Sequence, residues 1–213
     1  MTEEQSRGGM ITGAFERLDA VYRVYVDIEE QVRKEIDGIS WGHVPSGEAL
    51  RVYRYLEYMQ ADVGRQSMLT MVCAWLEEAI DMLGRDSIPK YAAKVKSKDG
   101  GWFKKRLKVW QEHGVEFDSI AEERTFMESS IEVRNCVVHA GGRIERCRNP
   151  KRLTDVVTWL TAKAKEGNFN YASIRDGLLY LGDDIVSEAI FASEQIVEHL
   201  YRHASGDVGE SGG

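Results

Sequence analysis

Residues 131 to 142 read IEVRNCVVHAGG, and this stretch decides how the chain is expected to fold. Apolar residues recur through it at roughly helical spacing, which predicts a buried helix. Three polar residues interrupt that pattern: Arg134, Asn135 and His139. Such groups are costly to bury without partners, so their presence requires a structural or chemical reason. The Gly141-Gly142 pair falls where a left-handed C-terminal cap would end the helix.

The three polar residues do not all share one face of the predicted helix. Asn135 and His139 are four positions apart, so they lie one turn above the other on the same face. Arg134 precedes His139 by five positions, which is about 140° around a helix of 3.6 residues per turn. Arg134 therefore reaches the same pocket only if its side chain bends around the helix, or if a second helix completes the site.

These residue types suit the cleavage of a phosphodiester without a metal ion. His139 can give or take a proton near neutral pH. Arg134 offers a planar fork of donors to a phosphate whose charge grows in the transition state. Asn135 can orient the phosphate or the imidazole without adding charge. The spacing alone also fits a second interpretation, in which the cluster only ties a helix end to a loop.

The motif resembles the signature of HEPN domains, in which an arginine is followed after four to six residues by a histidine. The likeness includes the polar residue after the arginine, here Asn135. Two other segments fit in order: Ser67 to Leu83 is similar to the long helix before the motif helix, and Asp183 to Tyr201 to the closing helix. The resemblance spans about residues 46 to 203, but only the motif itself is specific.

The resemblance implies a helical bundle that dimerises so that two Arg–His pairs face each other. Many HEPN proteins are metal-independent endoribonucleases that act as toxins or in antiviral defence. By this resemblance Arg134 stabilises the phosphate, His139 acts as acid or base and Asn135 assists. RNA and a second copy of the chain are the implied partners, an antitoxin protein would accompany a toxin-like role, and neither metal nor cofactor is implied.

Other HEPN members have lost activity, which leaves an alternative function. In that reading the chain is a catalytically silent HEPN module that binds nucleic acid, a nucleotide or a protein partner. A purely structural bundle that binds a protein partner would make no contact with nucleic acid at all.

The charge distribution suggests where RNA could bind, although the net charge of −7 disfavours unspecific binding of polyanions. Residues 90 to 108 hold eight lysines and arginines against one aspartate, and three aromatic residues interleave with them. A second basic cluster directly follows the motif. Basic side chains next to aromatics are typical of single-strand contact. The alternative is a solvated loop before an amphipathic helix with Trp110 in the core. The RNA-binding candidates are Arg143, Arg146, Arg148, Lys104 and Lys105.

The chain is predicted to be all-α, an HEPN-like helical bundle with at most a small strand pair near residues 167–182. We expect a disordered N-terminus at residues 1–12 and a disordered tail at 204–213. Between them, residues 13–203 form a single helical domain with a basic insertion at 84–120.

The sequence also predicts a cytoplasmic protein. The N-terminus has neither a basic nor an apolar region of a signal peptide, and no run of about 18 apolar residues suggests a membrane span. Cys73, Cys136 and Cys147 are odd in number and lack metal-ligand spacing, which favours a reducing compartment. Cys73 and Cys136 fall in apolar helical stretches and are interpreted as small core residues.

Overall fold

The computed structural model describes residues 63–206 without a break and, before them, residues 16, 18–20, 22–27, 29–31, 34, 37–38, 47–48 and 50–52. Helix accounts for 77 % of the structure, and one small antiparallel sheet accompanies it. This confirms the all-α prediction and its small strand pair. Residues 1–12 of the predicted disordered N-terminus and residues 207–213 of the predicted tail at 204–213 lie outside the described residues, whereas the last helix continues to Ser205.

Six helices and a hairpin follow one another from residue 65 onward. The helices are α1 (Arg65–Ser87), α2 (Tyr91–Lys96), α3 (Trp102–Gln111), α4 (Ala121–Ala140), α5 (Pro150–Gly167) and α6 (Ile185–Ser205). The strands β1 (Ala172–Arg175) and β2 (Leu178–Leu181) lie between α5 and α6. Short 3₁₀ turns at Asp118–Ile120 and Ile144–Arg146 precede and follow α4.

The core lies where α6 packs against α1 and α4, and α5 also packs against α4. Leu76 and Ile80 of α1 and Ile196 and Leu200 of α6 are fully buried. Apolar residues at three- and four-residue steps give each helix one such face, and its burial drives the packing. The motif helix α4 therefore lies in the middle of the bundle, with only part of its surface open to solvent.

The predicted basic insertion at 84–120 is built into the bundle. Its first residues complete α1, and the rest forms α2 and α3. Phe103 and Trp110 are 2 % and 1 % exposed, so α3 contributes to the core. This confirms the interpretation that placed Trp110 inside, and it leaves neither Phe103 nor Trp110 free to stack on a base.

The hairpin turns at Asp176 and Gly177, both with positive φ (51° and 74°). Two consecutive left-handed residues match the twist of a tight hairpin, and an Asp-Gly pair adopts them readily. The register pairs Ala172 with Leu181 and Arg175 with Leu178. Among the described helices, none is long and apolar enough to cross a membrane.

Candidate active site

The motif occupies the last turns of α4, and its end matches the prediction from the glycine pair. Gly141 adopts φ 59°, and its N–H donates to the carbonyl of Val137 at 3.0 Å. Such a left-handed residue satisfies the last free carbonyls of the helix. His139 therefore lies in the final turn of α4, directly before the chain changes direction.

The hairpin holds the chain that leaves this helix end. The Leu179 N–H donates to the Gly142 carbonyl at 2.9 Å, and the Ile144 N–H donates to the Gly177 carbonyl at 3.0 Å. Residue 143 thereby joins the edge of β2 by a bridge to Leu178. Local sequence patterns predicted the end of the motif helix and the strand pair separately. They did not predict that the hairpin packs against the end of the motif helix.

Arg134 of α4 lies near enough to Cys73 of α1 for its charge to affect the pKa of that thiol. Burial raises the pKa of the Cys73 thiol to about 12, and the Arg134 guanidinium acts in the opposite direction. Arg134 Nη1 donates to Asn135 Oδ1 at 3.1 Å. Its Nε is buried and has no hydrogen-bond partner among the described residues.

Two other partly buried arginines are neutralised in a way that Arg134 is not. Arg65 pairs with Glu29 at 3.0 Å and with Asp183, and Arg106 pairs with Asp81 at 2.7 Å and Glu77 at 2.8 Å. Within the described part of the chain, Arg134 forms no ion pair. A guanidinium that is partly withdrawn from water without a carboxylate carries an uncompensated cost, which a bound anion would remove.

Asn135 and His139 lie one turn apart on the same face of α4, as their spacing predicted. Asn135 is half-buried, and its side-chain oxygen is used to hold Arg134. His139 is exposed, and its ring makes no hydrogen bond or ion pair with any residue described. Within one chain, Arg134 and His139 therefore lie on different sides of α4, as expected from their separation by five residues.

The RNA-binding candidates differ in whether their charged groups form ion pairs with acidic side chains. Lys104 pairs with Glu128 of α4 at 3.0 Å, and Arg143 lies 3.7 Å from Glu145. Lys105 is half-buried, while Arg146 and Arg148 are exposed, and these three form no ion pair with described residues.

Part of the basic excess of residues 90 to 108 is balanced by acids elsewhere in the fold. Lys98 pairs with Glu112, Lys104 with Glu128, and Arg106 with acids of α1. The cluster after the motif is paired to a similar extent, through Arg143 with Glu145 and Arg152 with Glu132, and it is the closer of the two to His139 along the chain.

Neither a protein-family model, a curated protein nor a solved structure matches the chain. The resemblance to HEPN domains therefore stands on the motif and the order of the helices alone. Among the described residues, no three histidine, cysteine, aspartate or glutamate side chains are grouped as ligands of a metal ion.

Proposed function

We propose that this chain is a metal-independent endoribonuclease of the HEPN type, toxin- or defence-like in role, and that it acts as a homodimer. The observation that carries the proposal is the Arg134 guanidinium, which is partly buried, held by Asn135 and without an ion pair among the described residues. A phosphate of RNA is the anion that such a fork of donors suits.

In the proposed reaction the 2′-hydroxyl of RNA attacks the adjacent phosphorus, and the bond to the 5′-oxygen of the next nucleotide breaks. His139 transfers a proton to or from these oxygens. Arg134 stabilises the negative charge that develops on the phosphate. Asn135 keeps the guanidinium in place through its side-chain oxygen, which is a positioning role.

A twofold dimer would bring the two groups together. Arg134 and His139 lie on different sides of α4, so each would complete a site with the residue of the other copy. Val138, one turn beyond Arg134, is 48 % exposed, and Met71 of the neighbouring α1 is 46 % exposed. The exposed apolar side chain of Val138 within the motif is compatible with an interface there.

The test is incubation of the purified protein with mixed RNA in the presence of EDTA. We expect fragments that end in a 2′,3′-cyclic phosphate, and we expect single-stranded DNA to survive because it lacks the attacking hydroxyl. Cleavage that requires Mg²⁺, or cleavage by His139→Ala equal to that of the parent, would refute the proposal.

One observation favours the alternative of a silent binding module. A general base is commonly oriented by a hydrogen bond, and His139 has none to the described residues. If RNA is bound but not cut in the same assay, the motif binds its anion without chemistry and the chain is a binder.

A further inference from the structure

Two of the three cysteines meet beside the end of the motif helix. Cys136 belongs to α4, and Cys147 follows the 3₁₀ turn at Ile144–Arg146. Their sulfurs approach the same oxygen: Cys147 Sγ lies 3.4 Å and Cys136 Sγ 4.0 Å from the carbonyl of Arg143. The two thiols also lie close enough for a side-chain hydrogen bond between them, and neither forms a disulfide in this structure.

We propose that Cys136 and Cys147 form a reversible disulfide that fastens the turn after the motif to α4. The third cysteine, Cys73, is buried in α1 and takes no part. The bridge would close the short loop between the end of α4 and the residue after the turn at Ile144–Arg146.

The exposure of Cys147 and the burial of Cys136 determine which thiol reacts first with an oxidant. Cys147 is half-exposed, so an oxidant from solution reaches it first. Cys136 is 3 % exposed, and burial together with the hydrogen bond that its thiol donates to Cys147 raises its pKa to about 12. Cys136 is therefore a poor first nucleophile but is well placed to resolve a bond already formed on its neighbour.

With glutathione disulfide as oxidant, each step balances. The Cys147 thiolate attacks one sulfur of the oxidant and expels one glutathione thiolate, leaving a mixed disulfide. Cys136 then gives up its proton, attacks Cys147 Sγ and expels the second glutathione thiolate. Two protein thiols are oxidised, and one glutathione disulfide is reduced to two glutathione molecules.

The bridge would change the mobility of the turn that carries Arg143, Arg146 and Arg148. Those arginines are exposed, and trypsin cleaves after arginine. Any effect of the bridge on RNA cleavage depends on the function proposed above, whereas formation of the bridge does not.

The experiment treats the full chain with a glutathione redox buffer, alkylates the remaining thiols and maps the peptides by mass. We expect the loss of two hydrogens, a Cys136–Cys147 linked peptide, an alkylated Cys73, and slower tryptic cleavage after Arg146 and Arg148. The Cys73→Ser variant is the matched control and should form the bridge as the parent does. The Cys147→Ser variant changes a half-exposed residue and should lose both the bridge and the redox dependence of trypsin cleavage.

Glutathione that remains attached to Cys147, or a Cys147–Cys147 link between two chains, would overturn the proposal. So would oxidation that occurs only in unfolded protein. Each of these results can be told from failure of the proposed function, since the mapping does not depend on RNA.

Discussion

Arg134 differs from Arg65 and Arg106 in what compensates its charge. The latter two are each paired with two carboxylates, while Arg134 has the neutral amide oxygen of Asn135. Structural arginines are normally paired when they leave water, because an isolated charge is costly there. An arginine held ready without an anion is more typical of a binding or catalytic site, where stability is given up for function.

The first prediction concerns activity. Arg134→Ala and His139→Ala should each lower RNA cleavage by about two orders of magnitude or more, as expected for loss of a charge clamp or an acid–base group. Asn135→Ala should lower it less, because Asn135 acts through Arg134. Initial rates of RNA cleavage measure these effects, and Arg124→Ala on the same helix is the control that should cut as the parent does.

The second prediction compares the contribution of Arg134 to stability with that of Arg106. Arg106→Met leaves Asp81 and Glu77 without a partner, so it should lower the free energy of unfolding by about 1–3 kcal/mol, a range reduced because the ion pairs are partly exposed. Arg134→Met strands no described carboxylate and should leave that free energy unchanged or raise it. Urea titration measures both. If Arg134→Met destabilises the fold as much as Arg106→Met, Arg134 has a structural role.

At the scale of elements, the end of α4 depends on the glycine pair and the hairpin together. Gly142 has φ 72°, and a Cβ there would lie 3.5 Å from the Leu179 carbonyl oxygen. The backbone at this position therefore disfavours any side chain, even though the neighbouring atoms leave room for one.

The third prediction follows from this anchor. Gly142→Ala should lower the free energy of unfolding by about 1–2 kcal/mol, which is the cost of a left-handed conformation for a residue with a Cβ. Gly101→Ala is the matched control, because Gly101 has φ −67° and open space around its Cα. Thermal unfolding of both variants measures the difference. Equal melting temperatures would mean that the conformation at Gly142 carries no such cost.

The sequence predicted those elements whose signals are local. Helical periodicity indicated α4, the Gly141-Gly142 pair indicated its end, and the apolar run before residue 182 indicated β2. Signals that depend on distant residues were not visible. Lys104 and Arg106 read as free charges in the sequence, but the fold brings them to Glu128 and to the acids of α1. The same limit applied to Arg134, since the absence of an ion pair among the described residues could be seen only in three dimensions.

At the scale of the whole molecule, one chain presents the two halves of the proposed site on different sides of α4. The fourth prediction is therefore a dimer in solution. Light scattering at micromolar concentration should give about twice the chain mass of 24.2 kDa. Val138→Glu places a charge on an exposed apolar position beside Arg134 and should shift the population towards monomer and lower RNA cleavage. A parent protein that stays monomeric while cutting RNA would require a site completed within one chain.

The most direct test of the account is to mix two inactive variants, Arg134→Ala and His139→Ala, and to measure RNA cleavage in EDTA after subunit exchange. Each mixed dimer would hold one intact pair, made of Arg134 from one copy and His139 from the other. Half of the dimers would be mixed, each with one of two sites, so activity should return to about a quarter of the parent's. His139→Ala mixed with the double variant restores no pair and should remain inactive. If the two single variants exchange subunits, as followed by mass-tagged chains, and the mixture is still inactive, the shared Arg134–His139 site is wrong.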